Sequence, residues 1–189
     1  MPGGDPSALK KDLTEHFVSG ETVYDGVLLE VRRDQVRLPD GKQAVREYIR
    51  HPGAVAIMPL FDDGKVLLER QFRYPHRREF IEIPAGKVDP GEAHLATAQR
   101  ELLEETGYTA GEWTRLGVIH TAIAYTDEAI EMFVARKLTQ KAQKLDQGEF
   151  LEVFSVPFDE AIAMVRDGRI TDAKTVTALL WTEKWARRP

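Results

Sequence analysis

"GKVDPGEAHLATAQRELLEETGY", residues 86–108, crowds acidic side chains onto one predicted helix, with Glu101, Glu104 and Glu105 falling within five residues. Carboxylates that neighbour one another on a helix repel by about 0.2–0.5 kcal/mol per pair. Asp89, Pro90 and Glu92 have the chemistry of a cap, a first-turn proline and a capping-box partner, and Gly107 suits the C′ position. The spacing therefore predicts a helix from Pro90 to Thr106. At the helical period the three glutamates share one arc, and Leu95, Leu102 and Leu103 lie roughly opposite it.

A solvated acidic face is the ordinary explanation of helical glutamates. Two details favour a cation instead. The acidic arc falls in the last turn, where the helix dipole already disfavours anions. The helix is also entered through "IPAGKVDPGE", a glycine-containing loop directly after an apolar strand, which can bring a backbone carbonyl near the same carboxylates. Oxygen ligands without sulfur or imidazole point to Mg²⁺ or Mn²⁺ and away from Zn²⁺.

The rest of the chain limits the possibilities. Its 189 residues suffice for one sizeable core, and 42% hydrophobic with 30% charged residues is a globular balance. A formal charge of −5 without a long basic run argues against a nucleic-acid binder. The absence of cysteine excludes disulfides and thiolate metal sites and fits a cytoplasmic protein. No apolar stretch has the length of a membrane span or the pattern of a signal core, so no membrane partner is expected.

Gly86, Glu92 and "RELLEETGY" fit the pattern G-x5-E-x7-R-E-U-x-E-E-x-G-U, U being a bulky apolar residue. Seven fixed positions match by chance on the order of 10⁻⁸ to 10⁻⁹ per starting point, given ordinary residue frequencies. The stretch thus resembles the complete box of the Nudix hydrolase family. That resemblance implies an α+β fold, a Nudix α/β/α sandwich with a mixed sheet, and metal-dependent hydrolysis of a nucleoside diphosphate linked to another moiety. It implies Glu101 and Glu105 as principal metal ligands, Glu104 as a further one and the Ala85 carbonyl completing the shell. Gly86, Glu92 and Gly107 would support the box, with Glu92 paired to Arg100.

"ERQFRYP", "EIPAGKVDPGE", "TDE" at 126–128 and "DGRITDAKTVTALLW" are similar to the ADP-ribose pyrophosphatase branch, over roughly residues 50–185. The substrate implied is a nucleoside diphosphate sugar, ADP-ribose first and a GDP-mannose-type compound second. A non-catalytic nucleotide-sensing module is the reading from another class, and it is disfavoured because the box glutamates are all present. Where that branch often has a proline about sixteen residues past the last glycine of the box, this chain has Ile123.

Arg73 suits a diphosphate through its guanidinium fork, and it equally suits a pair with Glu82 or Glu79. Arg73 and Glu82 are the substrate-binding candidates. The catalytic group expected is Glu149 with Glu104 and Arg100; Asp146 and Glu152 compete with Glu149 for the attacking water. His51 and His120 are read as structural.

Turn chemistry in "PDG" (39–41) and "DDG" (62–64) predicts two hairpins. Strands are predicted over 22–32, 43–50, 54–61, 65–72, 79–84, 115–122, 129–138 and 151–157, with two further helices in "FDEAIAMVRDG" and "TDAKTVTALLWTEKWA". Residues 1–50 are expected to form an antiparallel β segment that builds a homodimer, as in the resembling enzymes, and residues 51–189 the hydrolase domain.

Overall fold

Strand β4 (Ala54–Pro59) is buried at all six positions, and its alternate side chains belong to two different cores. In the computed structural model, which describes residues 12–145, 148 and 150–186, this strand is the centre of the larger of two units. That unit comprises 52–121 and 128–189. An uninterrupted apolar run is what a strand covered on both faces requires.

The other strands of this unit are β5 (Lys65–Arg73), β6 (Arg78–Glu82), β7 (Ala85–Lys87), β8 (Tyr108–His120), β9 (Ala129–Gln140) and β10 (Leu151–Pro157). They form a four-stranded sheet in the order β7-β4-β9-β8 and a three-stranded sheet in the order β10-β5-β6. β4 runs parallel to β9 and antiparallel to β7, so the first sheet is mixed.

Helix α1 (His94–Thr106) covers one face of β4, where Val55 and Ile57 pack with Ala98, Leu102 and Phe133. Helices α2 (Phe158–Arg166) and α3 (Ala173–Trp181) serve the other face, where Ala54, Ala56 and Met58 meet Phe158, Ile162 and Leu179. This is the expected α+β layering with helices on both sides. No helix among the described residues is long and apolar enough to cross a membrane.

The second unit contains residues up to His51 together with 122–127. Its strands β1 (His16–Asp25), β2 (Glu30–Arg37) and β3 (Gln43–Arg50) form an antiparallel sheet in that order. The 122–127 segment joins the end of β3: Ile49 N donates to Tyr125 O at 2.8 Å, and His51 N to the Asp127 carboxylate at 2.7 Å. Every residue of β1 is exposed, and among the described residues of this unit only Asp34 and Val36 are buried.

Three expectations need correction. The strand predicted over 22–32 is two strands, because the chain turns at Gly26, whose N–H donates to Leu29 O at 2.9 Å. The "DDG" turn closes with a single bridge between Leu60 and Val66, after which β4 and β5 enter different sheets. The helix begins at His94, not Pro90. Residues 89–92 form a turn closed by Glu92 N to Asp89 O at 2.9 Å, with Gly91 at φ +81°, a type II turn with proline in its preferred place.

Candidate active site

The loop that the sequence places before the helix is strand β7, whose Ala85 and Gly86 lie opposite Ala56 and Val55 of β4. Pairing at the sheet edge fixes this backbone beside α1, and the closest approach is at Gly86. A Cβ there would sit 2.0 Å from both Cδ and Oε1 of Glu101. The glycine is thus required by the position of a carboxylate.

The second constraint on that carboxylate is Arg100. Its Nη1 donates to Glu101 at 2.8 Å and to Glu104 at 3.0 Å, while Nη2 reaches Glu92 at 3.1 Å. Thr97 Oγ1 also donates to Glu92, at 2.8 Å. These bonds hold Glu92 below the usual carboxylate range and push the Arg100 guanidinium up, with the Glu92 bond as the leading cause in each case. Arg100 therefore sits as a hub among three carboxylates, with the Glu92–Arg100 pair formed.

Glu105 lies elsewhere than expected. It is only 5% exposed, so the acidic arc does not lie wholly on an open helix face. Its Oε2 accepts the Ala85 N–H at 3.0 Å, tying the last turn of α1 to β7. Leu95, placed on the packing face by the sequence pattern, is 40% exposed, while Leu102 fills that face. Gly107 closes the helix at φ +72°, its N–H donating to Leu103 O at 2.9 Å.

Among the described residues no three acidic or histidine side chains already converge on one point that could hold an ion. Glu101 and Glu104 turn toward Arg100, and Glu105 toward Ala85. The donor chemistry nevertheless fits a hard cation: Glu92, Glu101 and Glu104 place three carboxylates around one guanidinium, Glu105 adds a fourth on α1, and the chain has no cysteine.

Arg73 lies at the end of β5 and makes a bidentate pair with Glu82, Nε and Nη2 each at 2.7 Å. Glu82, 2% exposed, also receives the Lys174 ammonium of α3. Burial raises the Glu82 pKa, but the Arg73 bonds and the Lys174 charge outweigh it and leave Glu82 below its ordinary value. Lys174 also donates to Asp172 at 3.0 Å, and Asp172 caps α3 by accepting from Thr175 N at 3.0 Å. Arg73 keeps 42% of its side chain exposed, so Glu82 holds it from the buried side.

Glu79 is paired with Arg70, which also takes Glu152 at 2.5–3.0 Å; this accounts for Glu152 as a surface ion-pair partner. Glu149 and Asp146 lie outside the described residues. The sequence reading missed Lys174, Asp172 and Glu69. "TDAKT" did carry a usable signal, an aspartate with a threonine three residues on, which is N-cap spacing.

Comparison with known proteins identifies the family. The NUDIX domain model matches residues 50–179, and the model of the nucleoside diphosphate sugar hydrolase N-terminal domain matches 15–49. An ADP-ribose pyrophosphatase of Bacillus subtilis (strain 168) is 38% identical over 175 residues, covering 92% of this chain and 95% of that protein. The methanol dehydrogenase activator of Bacillus methanolicus is 37% identical over 171 residues, covering 89% and 92%. Among solved structures, that of an ADP compounds hydrolase superposes with a TM-score of 0.83 at 26% identity, covering 94% of this chain and 97% of the other. A domain match spanning the box, the sheet and most of the helices, with relatives aligned along nearly the whole chain, establishes that this protein belongs to the Nudix family and is a pyrophosphohydrolase.

Proposed function

We propose that the protein hydrolyses the diphosphate bond of ADP-ribose, giving AMP and ribose 5-phosphate, with Mg²⁺ as its metal and Mn²⁺ as an alternative. The observation that carries this reading is the presence, in one unit, of the α1 carboxylates against β7 and of Arg73, half-exposed and held by Glu82. The 38% identical ADP-ribose pyrophosphatase supports the choice of sugar.

Glu101, Glu104 and Glu105, with the Ala85 carbonyl, would hold the ion, which supplies charge neutralisation and Lewis acidity at the diphosphate oxygens. Arg100 keeps Glu101 and Glu104 in place and Gly86 leaves room for Glu101. Arg73 grips the diphosphate and stabilises charge that grows as water attacks one phosphorus and the bridging P–O bond breaks. The proton of the attacking water passes to a carboxylate, for which Glu149 is proposed.

The test is kcat/KM for ADP-ribose, GDP-mannose, NADH and diadenosine polyphosphates with Mg²⁺ on one preparation. ADP-ribose is expected to lead. A preference for GDP-mannose would overturn the substrate and leave the hydrolase chemistry standing.

We further propose that the β1-β2-β3 sheet forms a homodimer. Phe17 and Tyr24 of β1, with Val27 and Leu28 of the turn that follows it, are each more than half exposed, more apolar surface than a small unit leaves in water without a partner. Light scattering at micromolar concentration should give the mass of two chains. A one-chain mass refutes the assembly.

A further inference from the structure

Glu69 is a carboxylate that the chemistry above does not use, and at 1% exposure it is as buried as the core. It lies on β5 directly opposite Glu82 of β6 in the antiparallel register. Side chains so paired stand on one face about 5 Å apart, and like charges there are unfavourable. Residues 69, 71 and 73 of β5 alternate onto that same face. Gln71 Nε2 donates to Glu69 Oε1 at 3.0 Å, and at the far end stands Arg73, its side chain half-exposed. The opposite face is separate, since there Arg70 pairs with Glu79 and Glu152.

The distribution of cations decides which carboxylate stays charged. Glu82 takes both, Arg73 through two bonds and Lys174 through its ammonium. Asp172 receives the other Lys174 bond and the α3 cap. Glu69 receives one neutral amide, and its Oε2 has no hydrogen-bond partner among the described residues. A buried anion served so poorly is much costlier than the neutral acid. With Glu69 protonated, Arg73 and Lys174 balance Glu82 and Asp172; with Glu69 ionised, the cluster beneath Arg73 has an excess negative charge.

We propose that Glu69 is a positioning residue acting through Arg73: it carries a proton when the substrate's diphosphate is bound, so that anion binding draws in a proton and its affinity weakens as that proton is lost. The inference rests on Arg73 being the diphosphate contact. Burial, with the Glu82 charge adding to it and Lys174 and Arg73 opposing, pushes the Glu69 carboxyl up to about 7, where the linkage is measurable. The direction follows from reciprocity: an anion at Arg73 favours the protonated acid, so the protonated acid favours the anion. A diphosphate esterified at both ends has no ionisation of its own near neutrality, so proton uptake reports on the protein.

The experiment is calorimetric binding of the non-hydrolysable α,β-methylene analogue of ADP-ribose to the full chain with saturating Mg²⁺, in buffers of differing ionisation enthalpy. Wild type should take up a fraction of a proton near pH 7, and its Kd should weaken several-fold from about pH 6 to about pH 8. Glu69→Gln, which keeps the shape and can still accept from Gln71, should bind with no proton uptake and a flat Kd. Uptake and slope unchanged in Glu69→Gln overturn the proposal while leaving the diphosphate site standing. If that variant does not fold, wild type alone decides, because zero uptake with binding intact refutes it. Failure of wild type to bind, with Arg73→Ala behaving identically, removes the site and this inference together.

Discussion

Glu105→Gln is expected to lower kcat for ADP-ribose by roughly 10²–10³-fold at saturating Mg²⁺, the scale of removing one preorganised charge-stabilising group, while the fold persists. Glutamine is nearly isosteric, and its carbonyl oxygen can still accept the Ala85 N–H that Glu105 Oε2 now accepts at 3.0 Å. What disappears is a formal charge at a position only 5% exposed, where water offers little substitute. Gly86→Ala gives a graded comparison. Its Cβ would meet the Glu101 carboxylate at 2.0 Å, and because that carboxylate is the end of a flexible side chain, the contact resolves by displacing it from its position beside β7. A loss of about 10-fold is expected there if Glu101 holds the metal as proposed, the lower end for disturbing what orients a metal ligand. Circular dichroism and a thermal midpoint close to wild type, with kcat reduced in this order, would bear out the assignment. Wild-type turnover by Glu105→Gln would remove Glu105 from the metal site.

The contrast between Glu105 and Glu82 shows what the sequence could convey. The helix that carries Glu101, Glu104 and Glu105 was legible because its residues recur at helical spacing, and α1 ends at Gly107 as its composition demands. β4 was legible as well, since a strand buried on both faces must be apolar throughout. The start of α1 was not, because "DPGE" satisfies a capping box and a type II turn alike, and Gly91 at φ +81° tips it to the turn. Strand β7 was hidden by its three-residue length between a proline and a turn, with pairing to Ala54, Val55 and Ala56 supplying what its own sequence lacks. The cluster beneath Arg73 draws on β5, β6 and α3, which meet only in the folded chain; helical periodicity around Lys174 does not reveal that its partner is 92 residues away. For the same reason Glu69 reads in sequence as one more charge on a strand, when it is among the most deeply buried side chains.

Lys174→Met should destabilise the protein by about 3 kcal/mol, measured as the change in urea unfolding free energy, at the lower end of what removing one partner of a buried ion pair costs. The lower end applies because Arg73 still holds Glu82 by two bonds of 2.7 Å, and Asp172 still accepts from Thr175. The effect should also depend on pH. Glu82 lies below its ordinary value of 4.5 when folded, so the stability it contributes is present above that pH and lost as the pH falls. Glu69 behaves oppositely. Raised from 4.5 to about 7, it contributes stability that is fully present below 4.5 and lost as the pH rises through about 7. Lys174 opposes that rise, so without it ionising Glu69 costs more and the alkaline decline steepens. The difference between variant and wild type should therefore be larger at about pH 8 than at about pH 5.5, where Glu69 is protonated in both. Adding Glu69→Gln to Lys174→Met should remove that extra alkaline loss, because the group that titrates is gone while Glu82 and its Arg73 pair remain. A deficit of equal size at both pH values, or one the second substitution leaves untouched, would show that Lys174 acts on Glu82 alone and that Glu69 stands outside the cluster.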